Sequence, residues 1–124
     1  MNIQLKIGST LLLGLLLAPI VHAETPTAME LEVSFLLGYV EGSGCQFYRN
    51  GTWYNSKEAQ AHLRVKYQWL GARNLINSAE DFIEKAATQS SFSNQPYAVT
   101  CNGGASMTSN KWLHAELDRL RTYK

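Results

Sequence analysis

The run Cys45-Gln46-Phe47-Tyr48-Arg49-Asn50-Gly51-Thr52-Trp53-Tyr54 decides the fold class. Asn-Gly is the preferred two-residue turn between antiparallel strands, because both central residues need positive φ and these two types tolerate it. The aromatic and β-branched residues on either side suit a pleated surface. A β-hairpin with its tip at Asn50-Gly51 is therefore expected. Alternation along its second strand puts one of Trp53 and Tyr54 inward and the other outward. Asn50-Gly51-Thr52 also spells a glycosylation sequon, but the hairpin accounts for it.

Downstream of the hairpin, Asn55 or Ser56 caps a helix, with Glu58 at the capping-box position relative to Asn55. Ala59, Leu63, Tyr67 and Leu70 form its apolar stripe, and Glu58, His62, Lys66, Trp69 and Arg73 form a second stripe beside it. Leu75 to Ser78 interrupts the pattern. Ser78-Ala79-Glu80-Asp81 starts a third helix with two acids in its first turn, favourable against the helix dipole. That helix sends Ala79, Phe82, Ile83, Ala86 and Ala87 to the core. Ser90 to Pro96 reads as a loop whose serines serve turn hydrogen bonds. Tyr97 to Cys101 reads as a short strand ended by Asn102-Gly103-Gly104. Ser109 caps a last helix carrying Trp112, Leu113, Leu117 and Leu120 inward, with Arg119, Arg121 and Lys124 near its C-terminal end.

Upstream, Thr27-x-x-Glu30 has capping-box spacing, and Met29, Val33, Leu36, Leu37 and Val40 follow at helical intervals. Leu31, Val33, Phe35, Leu37 and Tyr39 alternate with period two, so a strand also fits. The cap and the Gly42 to Gly44 terminator favour the helix. The sum is an α+β domain, a small antiparallel sheet of the hairpin plus one strand packed by about four helices.

The chain has 124 residues, 45% of them hydrophobic, and a formal charge of +1. It is too apolar for disorder and too short for a Rossmann pair or a barrel enzyme. Met1 to Ala23 has the plan of a secretory signal: Lys6 in the n-region, an apolar run from Ile7 to Leu17, and Val21-His22-Ala23 before the cut. The run is short for a spanning helix and ends at Pro19, so no membrane anchor is expected once the leader is cut from Glu24. Lys6 is the leader's only charged residue, so the remainder is formally neutral. That speaks against a nucleic-acid partner. The expected organisation is a leader over 1–23, a tether over 24–28 and one domain over 29–124, in the periplasm or secreted.

Two cysteines in an oxidising compartment allow one pairing, Cys45 with Cys101. No C-x-x-C and no zinc-ligand spacing is present, and no motif implies a metal or other cofactor. A thiol site of Cys45 with His62 is the alternative use of the first cysteine. Glu80, Asp81 and Glu84 invite comparison with a paired-carboxylate hydrolase, although first-turn electrostatics explains them.

Arg49-Asn50-Gly51, His62-Leu63-x-x-Lys66-Tyr67, Ala79-Glu80-Asp81-Phe82-Ile83, Ser90-Ser91, Pro96-Tyr97 and Trp112-Leu113-x-x-Glu116-Leu117 occur in that order. Together, from about Leu36 to Leu120, they resemble a bacterial family called domain of unknown function 5329. The resemblance implies a small exported bacterial protein and transfers no catalytic or ligand-binding residue. The family pattern has a glycine ahead of the Pro-Tyr pair where this chain has Asn94. Asparagine is the next residue to tolerate positive φ, so the turn is expected to survive.

No catalytic constellation is evident: there is no G-x-S-x-G elbow and no S-x-x-K spacing. The expected function is a binding module for an envelope protein or cell-wall component, of inhibitor or immunity type. A small envelope hydrolase or thiol enzyme and a structural envelope component are the alternatives. The candidate contact residues are His62, Lys66, Trp69 and Arg73, with Arg49 and Asn50 at the hairpin tip second. Cations beside an exposed indole suit a polar or anionic partner, whereas the plain reading of such a stripe is a solvated helix face.

Overall fold

A computed structural model describes residues 24–123 together with Pro19. The expected leader otherwise lies outside the described residues. The order is α1 (Ala28–Gly42), β1 (Gln46–Arg49), β2 (Thr52–Asn55), α2 (Ser56–Gly71), α3 (Ala79–Ala86), β3 (Ala98–Thr100), β4 (Met107–Thr108) and α4 (Ser109–Thr122).

The first apolar segment is a helix. Both arms of the capping box are made, Thr27 N–H to Glu30 at 2.9 Å and Glu30 N–H to Thr27 Oγ1 at 3.1 Å. Burial follows the helical spacing: Val33, Leu36, Leu37 and Val40 are buried, whereas Leu31 and Phe35, which a strand would have turned inward, are 59% and 37% exposed. The second capping box, Asn55 with Glu58, likewise starts α2. Ser78 caps α3, which delivers Ala79, Phe82, Ile83 and Ala86 to the core, with Ala87 directly after it.

The hairpin forms as its turn residues require, with Asn50 at φ 51° and Gly51 at φ 90°. Arg49 pairs with Thr52, and Phe47 with Tyr54. The sheet runs β2-β1-β3-β4, antiparallel throughout. One more strand is present than the sequence suggested: Met107–Thr108 adds to the free edge of β3. The cap of α4 is corrected with it. Thr108 Oγ1, not Ser109, accepts from the Lys111 N–H, and Ser109 becomes the buried first residue of the helix.

The inner face of the sheet carries Phe47 and Val99, register partners that are both buried. Tyr48 and Trp53 pair across β1 and β2, their rings edge to face at 5.4 Å. Trp112 from α4 stacks on Tyr39 and meets the Phe47 ring edge to face at 5.4 Å. Cys45 and Cys101 are bonded, S–S 2.04 Å, joining the entry of β1 to the exit of β3.

Ionic contacts tie the helices together. Arg121 on α4 donates to both oxygens of the buried Glu32 on α1 at 2.9 Å each, and to Glu80 on α3 at 2.6 and 3.0 Å. A bidentate guanidinium supplies the hydrogen bonds that a buried carboxylate needs. Arg119 pairs with Glu116 one turn back.

The loop after α3 is built on Ser90. Its Oγ accepts from the Phe92 and Ser93 N–H groups, its N–H donates to the Gln95 carbonyl, and its own carbonyl accepts from Asn94 N–H. Asn94 has φ 61°, as expected for a residue at a glycine position. The tip presents Phe92, 92% exposed.

Candidate functional site

A cleft of about 120 Å³ opens between the hairpin and α2. The hairpin supplies Phe47, Arg49 and Tyr54, α2 supplies Glu58, Ala59, His62 and Leu63, and the approach to β3 supplies Tyr97. Ser109, at the start of α4, closes it. Strand alternation turns Phe47 and Arg49 to the same side of β1, and helical spacing places Ala59, His62 and Leu63 on one side of α2.

Tyr97 organises the polar end. Its hydroxyl accepts from Lys66 Nζ at 3.1 Å and lies 3.1 Å from His62 Nε2. With the ammonium as donor, the phenolic proton is free to go to His62 Nε2, which leaves the ring proton on Nδ1. Lys66 also donates to the Gln89 carbonyl at 3.1 Å. Arg49 lies over the Tyr54 ring, 4.9 Å from its centroid, and donates to the Tyr54 hydroxyl at 3.3 Å. Among the described residues, neither Arg49 nor Lys66 has a carboxylate within ion-pair distance.

The electrostatics follow from this crowding. Burial, then the charges of Arg49 and Lys66, push His62 down to about 4. Burial and Arg49 pull Lys66 below the ordinary ammonium value. Burial raises the Tyr97 phenol, with Arg49 opposing. His62 is thus neutral near pH 7, while the unfolded chain protonates it below about 6.5. The folded value is the lower one, so this contribution to stability is intact above pH 6.5 and is lost as pH falls through about 4. The unfolding free energy measured in urea should fall across that window, by about 1–2 kcal/mol after allowance for the solvent reaching the ring. His62→Gln should flatten the slope there, and an unchanged slope would assign it to other groups.

The expected contact residues divide into two sets. Arg49, His62 and Lys66 gather around Tyr97. Trp69 and Arg73 form a separate pair further along α2: the guanidinium lies 3.6 Å from the indole centroid and donates to the Trp69 carbonyl at 2.8 Å. Trp69 is 54% exposed. Asn50 serves the turn. The α2 stripe does not point to Tyr97 or Ser109, which reach the cleft from the approach to β3 and the start of α4.

The alternative chemistries meet different arrangements. Cys45 is bonded to Cys101, so no thiol stands beside His62. Arg121 holds Glu80 down to about 2, as an ionised carboxylate. Glu84 accepts from Asn110 at 3.1 Å and lies 2.9 Å from His114, while Asp81 accepts from the Asn77 N–H. None of the three lines the cleft beside the hairpin.

These features define a small disulfide-bridged α+β domain with a cleft of cationic and aromatic side chains. The chain belongs to the Family of unknown function (DUF5329), whose model matches residues 27–121. It is similar to the Uncharacterized protein YfeK of Salmonella typhimurium (strain LT2), 50% identical over 52 residues. That match covers 41% of this chain and 41% of the relative. No solved structure matches it. No helix among the described residues is long and apolar enough to cross a membrane.

Proposed function

We propose that this protein is an exported binding module whose cleft recognises an envelope protein or cell-wall component, in the manner of an inhibitor or immunity protein. The observation that carries the reading is Arg49, which lines an open, aromatic-walled cleft with no carboxylate partner among the described residues. A cation held beside rings and left without a counter-charge suits a partner that brings one. Export is supported by the leader plan of residues 1–23 and by the disulfide, which persists in oxidising compartments.

The test immobilises the exported, oxidised protein and exposes it to a periplasmic extract of the source bacterium, with Arg49→Glu and Arg73→Glu as separate variants. Lys66 is left intact because it supports the Gln89 carbonyl and Tyr97. One envelope component is expected on wild type and lost by about tenfold or more from Arg49→Glu, as charge reversal at a contact predicts. Loss only from Arg73→Glu would move the surface to Trp69. Equal retention by wild type and both variants would remove the reading.

A further inference from the structure

Resting on the cleft as the binding surface, we propose that its ligand group is a carboxylate carried on a short planar or apolar body. Arg49 and Ser109 receive the oxygens, and Phe47, Tyr54 and Tyr97 enclose the body. Three observations lead there.

The first is the donor set. A guanidinium has five N–H donors in a fixed fork, and Arg49 spends one on the Tyr54 hydroxyl. The guanidinium also sits over the Tyr54 ring, 4.9 Å from its centroid, and the remaining donors match the two oxygens of a carboxylate.

The second is Ser109. Ser109 lines the cleft and is 3% exposed, yet among the described residues its hydroxyl has no hydrogen-bond partner. A buried polar group without a partner is uncommon and calls for an explanation, and an acceptor in the cleft supplies one. The backbone holds it in place, since Ser109 N–H donates to the Tyr97 carbonyl at 2.9 Å.

The third is size and charge. An enclosed apolar cavity of about 150 Å³ takes a benzene ring, so an open cleft of about 120 Å³ accommodates one ring or one short side chain. One guanidinium and one hydroxyl suit a monoanion. Glu58 also lines the cleft, its carboxylate held on the Asn55 N–H, and its repulsion weighs more on a dianionic phosphate than on a singly charged carboxylate. Lys66 does not line the cleft, and its ammonium donates to Tyr97 and Gln89 instead.

The test titrates the oxidised, isotope-labelled protein with sodium benzoate at low ionic strength and follows backbone amide resonances. A ligand of that size binds in the millimolar range. The amides of Arg49, His62, Tyr97 and Ser109 are expected to move on one saturable curve. Benzamide, the neutral isostere, should bind about tenfold more weakly, as should benzoate to Arg49→Gln, and Ser109→Ala should cost about threefold. Absence of a saturable shift, benzamide equal to benzoate, or indifference to Arg49→Gln would each overturn the inference. Tighter binding of phenyl phosphate would overturn the carboxylate assignment in favour of phosphate. Benzoate failing while an envelope component is still captured through Arg49 would remove the carboxylate class alone. Saturable benzoate with capture indifferent to Arg49 would instead remove the macromolecular partner.

Discussion

Reduction of the Cys45–Cys101 bridge, or its replacement by Cys45→Ala with Cys101→Ala, is expected to lower the unfolding free energy by about 4 kcal/mol. The bridge spans a sequence separation of 56. Closing a loop of that length removes many conformations from the unfolded chain and few from the folded one. Little native rearrangement should follow the loss, because the strands it joins also pair directly through Gln46 with Thr100 and Phe47 with Val99. A domain of this size has about 5–15 kcal/mol in all, so the change consumes a large share. Urea unfolding of the oxidised protein and the double variant measures it. The dependence on urea should also steepen, since an unconstrained unfolded chain exposes more surface. A loss under about 1 kcal/mol would mean that the unfolded chain already holds the two cysteines near each other.

Phe82→Ala should cost a comparable amount, about 4 kcal/mol. Phe82 is the largest of the fully buried side chains, and Tyr67 meets its ring edge to face at 5.7 Å. It sits in α3, whose eight residues are too few to hold a helix without packing. Removing the ring therefore leaves a cavity and also loosens the helix that carries Glu80 to Arg121. Phe82→Leu keeps most of the volume and should cost about 1.5 kcal/mol or less. Thermal and urea unfolding distinguish the two variants, and equal losses would show that the edge-to-face contact outweighs the cavity.

Local chemistry made much of this fold legible. Asn50-Gly51 specified the hairpin, Thr27 with Glu30 and Asn55 with Glu58 specified two helix starts, and helical spacing marked Ala79, Phe82, Ile83, Ala86 and Ala87 as core. The missed strand shows the limit. Met107–Thr108 is too short to carry an alternation of its own, and it is a strand only because β3 offers it an unpaired edge. Thr108 and Ser109 are neighbouring residues that can both cap, serine the better of the two, and long-range pairing of Thr108 with Ala98 decides for the threonine.

The cleft divides in the same way. His62 and Lys66 were visible because four residues along a helix bring two side chains together. Their shared partner Tyr97 lies 35 and 31 positions away and arrives through the sheet register. The helical spacing also carries on past the cleft to Trp69 and Arg73, with nothing in the stripe to say where the hairpin stops. Sequence periodicity describes one element's face, and a cleft belongs to several.

The Ser90 loop gives the bridge another meaning. Phe92 stands at its tip, between the two bonded cysteines in chain order. A protease cutting there severs the polypeptide but not the molecule: the piece with α1, α2 and α3 stays covalently attached to the piece with α4. The protein is, in effect, wired as a closed circuit with two tails, and a single break in the circuit sheds no part until a reductant opens it a second time.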